Sequence, residues 1–137
     1  MKKKVLFVCT HNSARSQMAE GYLNARYGDR FEAFSAGSNP AFVNPVAIEV
    51  MRDAGIDISS HYSKNLEEFL GVYMDVVVTV CDSANESCPV FSLAKKKIHA
   101  GFTDPFAFSG SEDEVRDAFL KVRDEIFAFI DFEFGDD

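Results

Sequence analysis

The sequence of 137 residues has no tryptophan, only four prolines and three cysteines, and few basic residues. Its 14 Lys and Arg residues stand against 22 Asp and Glu residues, which gives a formal net charge of -8. This scarcity of positive charge argues against nucleic acid or an anionic membrane surface as the main partner, because both need a basic face. Long hydrophobic runs are also missing, since no stretch approaches the roughly 18–20 apolar residues that cross a membrane.

The remaining composition is that of an ordinary globular protein, with 47% hydrophobic and 26% charged residues. The first residues resemble a secretory signal peptide, but the apolar run Val5–Val8 is too short to serve as one. No repeat and no linker rich in Pro, Gly or Ser divides the chain. We therefore expect one domain over residues 1–137, located in the cytoplasm.

The three cysteines are Cys9, Cys81 and Cys88. An odd number in a cytosolic chain argues against a structural disulfide framework and for reactive thiols. The gap between Cys81 and Cys88 is wider than zinc thiolates usually show, and no His completes a tetrahedron, so we expect no metal site. Inert burial is the alternative, because free cysteine is among the most buried residue types.

Hydrophobic patterns predict alternating strands and helices. Short apolar or β-branched runs predict strands at 5–8, 31–36, 75–80 and 97–100. Helical spacing and capping residues predict helices over 16–27, 44–55, 65–70 and from the Ser111–Glu114 capping box onward. Alternation of this kind favours βαβ units. The predicted fold class is α/β, a three-layer sandwich with a central four-stranded parallel sheet flanked by helices.

The segment Cys9–Ser16, Cys-Thr-His-Asn-Ser-Ala-Arg-Ser, joins the first predicted strand to the first predicted helix. In open α/β sheets, ligands bind beyond the carboxyl ends of the strands. Backbone N–H groups and the positive end of the helix make such a loop a cradle for an oxyanion. The residues predicted to form this cradle are Thr10, His11, Asn12, Ser13, Ala14 and Arg15.

Four side chains of the segment have specific predicted roles. Arg15 can place two donors on a tetrahedral oxyanion, and the same positive field favours the thiolate form of Cys9 as a nucleophile. Asn12 would brace the loop, and the Ser16 hydroxyl could donate to the Cys9 sulfur. The alternative is a plain turn with a buried cysteine and a surface arginine. His11 either lines the mouth of the site or is an exposed loop residue without a role.

The segment resembles the phosphate loop of the low-molecular-weight protein tyrosine phosphatase fold, and within it the thioredoxin-coupled arsenate reductases. The resemblance runs along nearly the whole chain. Matching motifs are Ser16-Gln-Met-Ala-Glu20, Ser35-Ala-Gly37, Asn44-Pro45, Gly55-Ile-Asp-Ile-Ser59, Val77-Val-Thr79, Cys81, Cys88-Pro89, Gly101-Phe102, Asp104-Pro105 and Val122-Arg-Asp-Glu-Ile126. The resemblance implies arsenate as the substrate, with phosphate or sulfate as competing oxyanions, and thioredoxin as the electron donor. We also expect a monomer.

The resemblance also implies a general acid at Asp104. A leaving oxygen needs a proton, and a carboxyl group at the carboxyl edge of the sheet can supply it. From the residues alone, Asp104-Pro105 is merely a turn signal.

Cys81 and Cys88 correspond to the second and third thiols of the family's relay. The resemblance implies that Cys9 attacks arsenate, that Cys81 then attacks Cys9, and that Cys88 attacks Cys81. The relay would leave a Cys81–Cys88 disulfide, which thioredoxin reduces. In a helix the two thiols would be about 10 Å apart, so the segment between them must unwind to form this disulfide. The alternative is a core cysteine at the strand end and an incidental Cys88.

Some relatives bind potassium beside the loop through residues that match Asn12, Glu20 and Ser35, and through an aspartate. The residue matching that aspartate is Lys64. We expect the Lys64 ammonium to replace the ion, so that no cofactor is needed; alternatively, Lys64 points to solvent and the cation site is simply lost.

Two other functions stay open at this point. One is a phosphomonoesterase, in which water hydrolyses a Cys9 phospho-intermediate while Cys81 and Cys88 are passive. The other is a module without catalysis that binds an oxyanion or senses thiol oxidation. The presence of Cys9, Arg15 and Asp104 together argues against the latter, because binding alone needs neither a nucleophile nor an acid.

Overall fold

The computed structural model describes residues 2–81, 93–105 and 108–135. Within them the elements follow one another as β1 (Lys3–Cys9), α1 (Arg15–Tyr27), β2 (Phe31–Gly37), α2 (Pro45–Asp53), β3 (Met74–Thr79), β4 (Ala94–His99) and α3 (Glu112–Phe134). A short 3-10 helix, Leu66–Phe69, precedes β3. The predicted alternation of strands and helices is confirmed.

The strands form one four-stranded parallel sheet in the order β2-β1-β3-β4. This confirms the predicted fold class. Because all strands run in the same direction, their carboxyl ends lie along one edge of the sheet. Cys9 ends β1 at this edge, and Cys81 follows the end of the neighbouring β3 by two residues.

The interior strand β1 is buried on both faces of the sheet. Its residues Val5–Val8 are completely buried, and each apolar side chain of this kind stabilises the fold by about 1.5–3 kcal/mol. Val5 and Phe7 belong to the cluster that includes buried residues of α1, α2 and α3, while Leu6 and Val8 pack with Leu66 on the opposite face. The sheet therefore has a layer on each face, and the three α-helices of the described residues all lie on one side.

Local capping signals are confirmed where the sequence predicted them. The Asn44 side chain accepts a hydrogen bond from Val46 N at 2.8 Å, and Pro45 occupies the first helical position of α2. Ser111 and Glu114 form a reciprocal capping box at the start of α3. These caps satisfy backbone N–H groups that a helix start leaves without partners.

Element boundaries differ from the prediction mainly at the strands. β1 extends to Cys9, and β4 begins at Ala94 instead of Lys97. The pairing of β4 with β3 explains this difference, because ladder hydrogen bonds extend the strand over the exposed lysines Lys95–Lys97, which have no apolar signal. In the described ranges, no helix combines the length and the apolar character needed to cross a membrane.

Candidate active site

The loop between β1 and α1 forms the floor of the candidate site. Its backbone carbonyls point away from the centre of the loop, because each accepts a hydrogen bond from outside. The donors to the carbonyls of Thr10, His11, Ser13 and Ala14 are the backbone N–H groups of Asn39 (2.8 Å), Ala41 (3.2 Å), Asn44 (2.9 Å) and Met18 (2.8 Å). In a planar trans peptide the N–H points opposite to the carbonyl. The N–H groups that follow these carbonyls therefore face the centre of the loop.

Gly37 allows the end of β2 to pack directly against this loop. A Cβ atom at this position would lie 2.5 Å from Thr10 O and 2.9 Å from Asn12 N. Real Cβ atoms do not approach backbone atoms so closely, so only glycine permits this contact. The glycine of the Ser35-Ala-Gly37 motif thus helps to set the shape of the oxyanion cradle.

Asn12 is the residue that the sequence predicts to brace the loop. Its backbone is in the left-handed region, with φ at 51°, a conformation that asparagine adopts more readily than most residues. Its side chain is completely buried. Nδ2 donates to Ser16 Oγ at 2.7 Å, while Oδ1 accepts from Gln17 Nε2 at 2.9 Å and from Lys64 N at 2.8 Å.

Two hydrogen-bond donors converge on the sulfur of Cys9, which is a buried free thiol. Asn12 N donates to Sγ at 3.2 Å, and Ser16 Oγ lies 2.8 Å from the same sulfur. The Ser16 hydroxyl accepts a hydrogen bond from Asn12 Nδ2, which leaves its own hydrogen for the sulfur. Donors in this arrangement stabilise negative charge on Sγ.

Arg15 and Asp104 come together beside Cys9 although they are far apart in sequence. Arg15 is only 3% exposed, and its Nη1 donates to Phe102 O at 3.1 Å. Its Nη2 lies 3.6 Å from Asp104 Oδ2, and the Asp104 side chain is 26% exposed. The guanidinium is therefore fixed in place, while the carboxyl group stays accessible from the cavity.

A cavity of about 280 Å³ lies above the loop and collects most of the predicted site residues. Its lining consists of Cys9, His11, Ser13, Ala14, Arg15, Ala41, Phe42 and Asp104. The buried Ser13 Oγ has no hydrogen-bond partner among the described residues. His11 is exposed at the edge of this cavity, with Nδ1 3.0 Å from Asn39 O, and whether it has a role in the site stays open.

Of the two other cysteines, the described residues include Cys81 but not Cys88. Cys81 is completely buried and disulfide-bonded, in contrast to the free Cys9. Cys88 lies outside the described residues, so its predicted pairing with Cys81 stays a prediction.

Lys64 lies beside Glu20, and its predicted replacement of a cation stays a prediction. Its Nζ lies 3.5 Å from Glu20 Oε1, and Ser35 Oγ donates to the same carboxylate oxygen at 2.6 Å. Lys64 is 9% exposed and does not point to solvent. In the described part of the chain, no group of three or more His, Cys, Asp or Glu residues could hold a metal ion.

Sequence reasoning assigned no role to Gln17, Ser63 and Phe102. Each of them forms a hydrogen bond with Asn12 or Arg15 of the loop. Gln17 is completely buried, and its Nε2 also donates to Tyr62 O at 3.0 Å. Helical periodicity gave no signal for Gln17, because it lies on the side of α1 opposite the apolar residues Met18, Ala19 and Leu23. Ser63 and Phe102 had no signal either, since each makes its contact from a distant loop.

Comparisons with known proteins show which family this chain is similar to. The family model of low molecular weight phosphotyrosine protein phosphatases matches residues 4–130. The chain is 44% identical over 130 residues to "Arsenate reductase 1" of Staphylococcus epidermidis, which covers 95% of this chain and 94% of that protein.

Solved structures give the same picture. One described as an arsenate reductase in the phosphate binding state is similar with a TM-score of 0.81 at 32% identity, covering 95% of both chains. A thioredoxin-dependent arsenate reductase of Corynebacterium glutamicum is similar with a TM-score of 0.63 at 26% identity, covering 96% of this chain and 63% of that chain.

Proposed function

Since this chain belongs to the low molecular weight phosphotyrosine protein phosphatase family, we propose that it reduces arsenate to arsenite with Cys9 as the nucleophile. The observation that carries the proposal is the convergence of Cys9, Arg15 and Asp104 on one cavity. The relatives named arsenate reductase support this substrate over an organic phosphate.

The first step joins arsenate to Cys9. Inward N–H groups of the loop and the Arg15 guanidinium hold the oxyanion, and the Cys9 thiolate attacks arsenic. An As–S bond forms and an As–O bond breaks, while Asp104 gives its proton to the departing oxygen, which leaves as water. The product is a Cys9 thiol–arsenate adduct in which arsenic is still pentavalent.

The second step transfers two electrons to arsenic. The Cys81 thiolate attacks Cys9 Sγ, so that an S–S bond forms while the As–S electron pair passes to arsenic, which leaves as trivalent arsenite. Cys88 then attacks Cys81, which frees the Cys9 thiolate and produces a Cys81–Cys88 disulfide. Two observations support this order of events. Cys81 follows β3 at the same edge of the sheet as Cys9, and Cys81 is disulfide-bonded while Cys9 is free.

Thioredoxin is the proposed donor that reduces the Cys81–Cys88 disulfide and closes the cycle with two electrons and two protons. The similarity to a thioredoxin-dependent reductase supports this partner. We also propose that the chain acts as a cytoplasmic monomer with one domain over residues 1–137. No resident cofactor is required, because the three thiols carry the electrons.

The test is arsenate-dependent NADPH oxidation in the presence of thioredoxin and thioredoxin reductase. Wild type is expected to turn over, and Cys81→Ser is expected to show no multiple turnover, because the second sulfur of the relay is missing. No turnover by wild type would contradict the proposal.

A phosphomonoesterase is the second candidate, and the specific observation in its favour is that Cys9, Arg15 and Asp104 line the cavity while Cys81 is not among its lining residues. Water would hydrolyse a Cys9 phospho-intermediate. Hydrolysis of an aryl phosphate that survives Cys81→Ser, together with the absence of arsenate reduction, would favour this second candidate.

A further inference from the structure

We propose that Ser63, together with Gln17, is a positioning residue that holds the peptide between Asn12 and Ser13 with its N–H towards the bound oxyanion. This inference rests on the proposed function only in that the loop binds a tetrahedral oxyanion. It assigns a role to the segment 62–64, which lies behind the loop and outside the cavity.

The hydrogen bonds of the Asn12 carbonyl distinguish it from its neighbours in the loop. It accepts from Ser63 Oγ at 2.8 Å and from Gln17 Nε2 at 3.2 Å. The carbonyls of Thr10, His11, Ser13 and Ala14 accept from backbone N–H groups instead. The orientation of the Asn12–Ser13 peptide thus depends on two side chains, which a substitution can remove.

The direction of the Asn12 carbonyl determines whether an N–H group or a carbonyl oxygen faces the bound oxyanion. Because the peptide is planar and trans, a carbonyl held outward by Ser63 places the Ser13 N–H on the inner side. A reversed peptide would present a carbonyl oxygen to the anion, which removes one donor and adds a repulsive dipole. Asn12 is the residue with positive φ in the loop, at 51°, so the backbone at this peptide is held in a conformation of limited intrinsic stability.

The segment that carries Ser63 is fixed to the loop on both sides of this residue. Gln17 Nε2 donates to Tyr62 O at 3.0 Å, and Lys64 N donates to Asn12 Oδ1 at 2.8 Å. Gly37 N donates to Lys64 O at 2.9 Å, which ties the same segment to the end of β2. Ser63 is therefore held in position before any ligand arrives, and its hydroxyl acts as a preorganised donor.

The experiment measures the affinity for phosphate through protection of Cys9 from alkylation. Reduced protein is treated with iodoacetamide at increasing phosphate concentrations, and modification of the Cys9 peptide is quantified by mass spectrometry. Ser63→Ala is expected to bind phosphate about five- to tenfold more weakly than wild type, the ratio that corresponds to one lost hydrogen bond. Ser63→Thr, which keeps the hydroxyl, is expected to restore the affinity.

The matched control is Asn24→Ala, which removes two hydrogen bonds to the Ala33 backbone at a distance from the loop. This variant is expected to lower the melting temperature while its phosphate affinity stays that of wild type. An unchanged affinity in Ser63→Ala would overturn the inference, as would equal weakening in Ser63→Thr or in Asn24→Ala. If neither phosphate nor arsenate protects Cys9 of wild type, the proposed oxyanion site itself fails, and the inference fails with it.

Discussion

Ser16 Oγ lies 2.8 Å from Cys9 Sγ and accepts a hydrogen bond from Asn12 Nδ2 at 2.7 Å. The serine thus links the buried Asn12 side chain to the sulfur of Cys9, the proposed nucleophile. Its hydroxyl hydrogen stabilises negative charge on Sγ, both before the attack on arsenate and when the attack of Cys88 on Cys81 frees the Cys9 thiolate.

Ser16→Ala is expected to lower kcat for arsenate reduction by about tenfold, because one donor to the sulfur is lost. Steady-state rates in the thioredoxin-coupled assay measure this effect. Ser59→Ala, a change of the same size at an exposed position, is expected to leave kcat unchanged. A Ser16→Ala variant with the wild-type kcat would show that the contact has no catalytic consequence.

Asp104→Asn is expected to reduce kcat by about 10²- to 10⁴-fold, because an amide cannot give a proton to the leaving oxygen. Phosphate affinity is expected to change far less, since Arg15 keeps its hydrogen bond to Phe102 O. Rapid mixing with arsenate and the Cys9 protection assay separate these two effects. An Asp104→Asn variant that forms the adduct at the wild-type rate would exclude Asp104 as the general acid.

The ion pair between Lys64 and Glu20 leads to an expectation about potassium. An ammonium group 3.5 Å from Glu20 Oε1 supplies the positive charge that a bound cation would supply, so activity is expected to be the same in potassium and sodium. Rates at constant ionic strength test this. Lys64→Asp, which introduces the aspartate that the family resemblance implies for a potassium site, is expected to gain a response to potassium. Several-fold stimulation of the wild-type activity by potassium would contradict the replacement of the ion by Lys64.

The capping box of α3 makes part of the stability dependent on pH. Hydrogen bonds from the Ser111 backbone and side chain lower the pKa of Glu114 below its ordinary value. A carboxyl group with a lowered folded-state pKa stabilises the fold above its unfolded pKa of about 4.3, and this contribution is lost as the pH falls through the folded pKa.

Urea unfolding of wild type and Glu114→Gln measures this contribution. The difference in stability between them is expected to be present at pH 7 and to shrink as the pH falls below about 4.3. Glu112→Gln is the matched control, because it removes the same charge from the same helical turn outside the capping box. A difference for Glu114→Gln that does not depend on pH would contradict the role of the carboxylate charge.

Local sequence signals predicted many of the strands and helix starts, because each signal depends on residues that are close together in sequence. The buried run at Val5–Val8, the Asn44-Pro45 cap and the Ser111–Glu114 capping box each act within a few residues, and the structure confirms them. The spacing of Cys9 and Arg15 between a strand and a helix likewise indicated the cradle.

Contacts between distant segments could not be predicted from these patterns. Ser63 and Asn12 are 51 positions apart, and Arg15 and Phe102 are 87 apart, so no local pattern connects them. Helical periodicity also shows which face of a helix is buried without showing which face of the sheet it covers. For this reason the position of α1, α2 and α3 on one side of the sheet became known only from the structure.

The most direct test of the thiol relay is the amount of arsenite that the Cys88→Ser variant releases. Reduced variant is mixed with excess arsenate, thioredoxin and thioredoxin reductase, and arsenite is quantified against time beside wild type. We expect a burst of about one arsenite per chain with a Cys9–Cys81 disulfide in the product, while wild type continues to turn over. Release of no arsenite by either protein, or turnover of Cys88→Ser at the wild-type rate, would contradict the thiol relay.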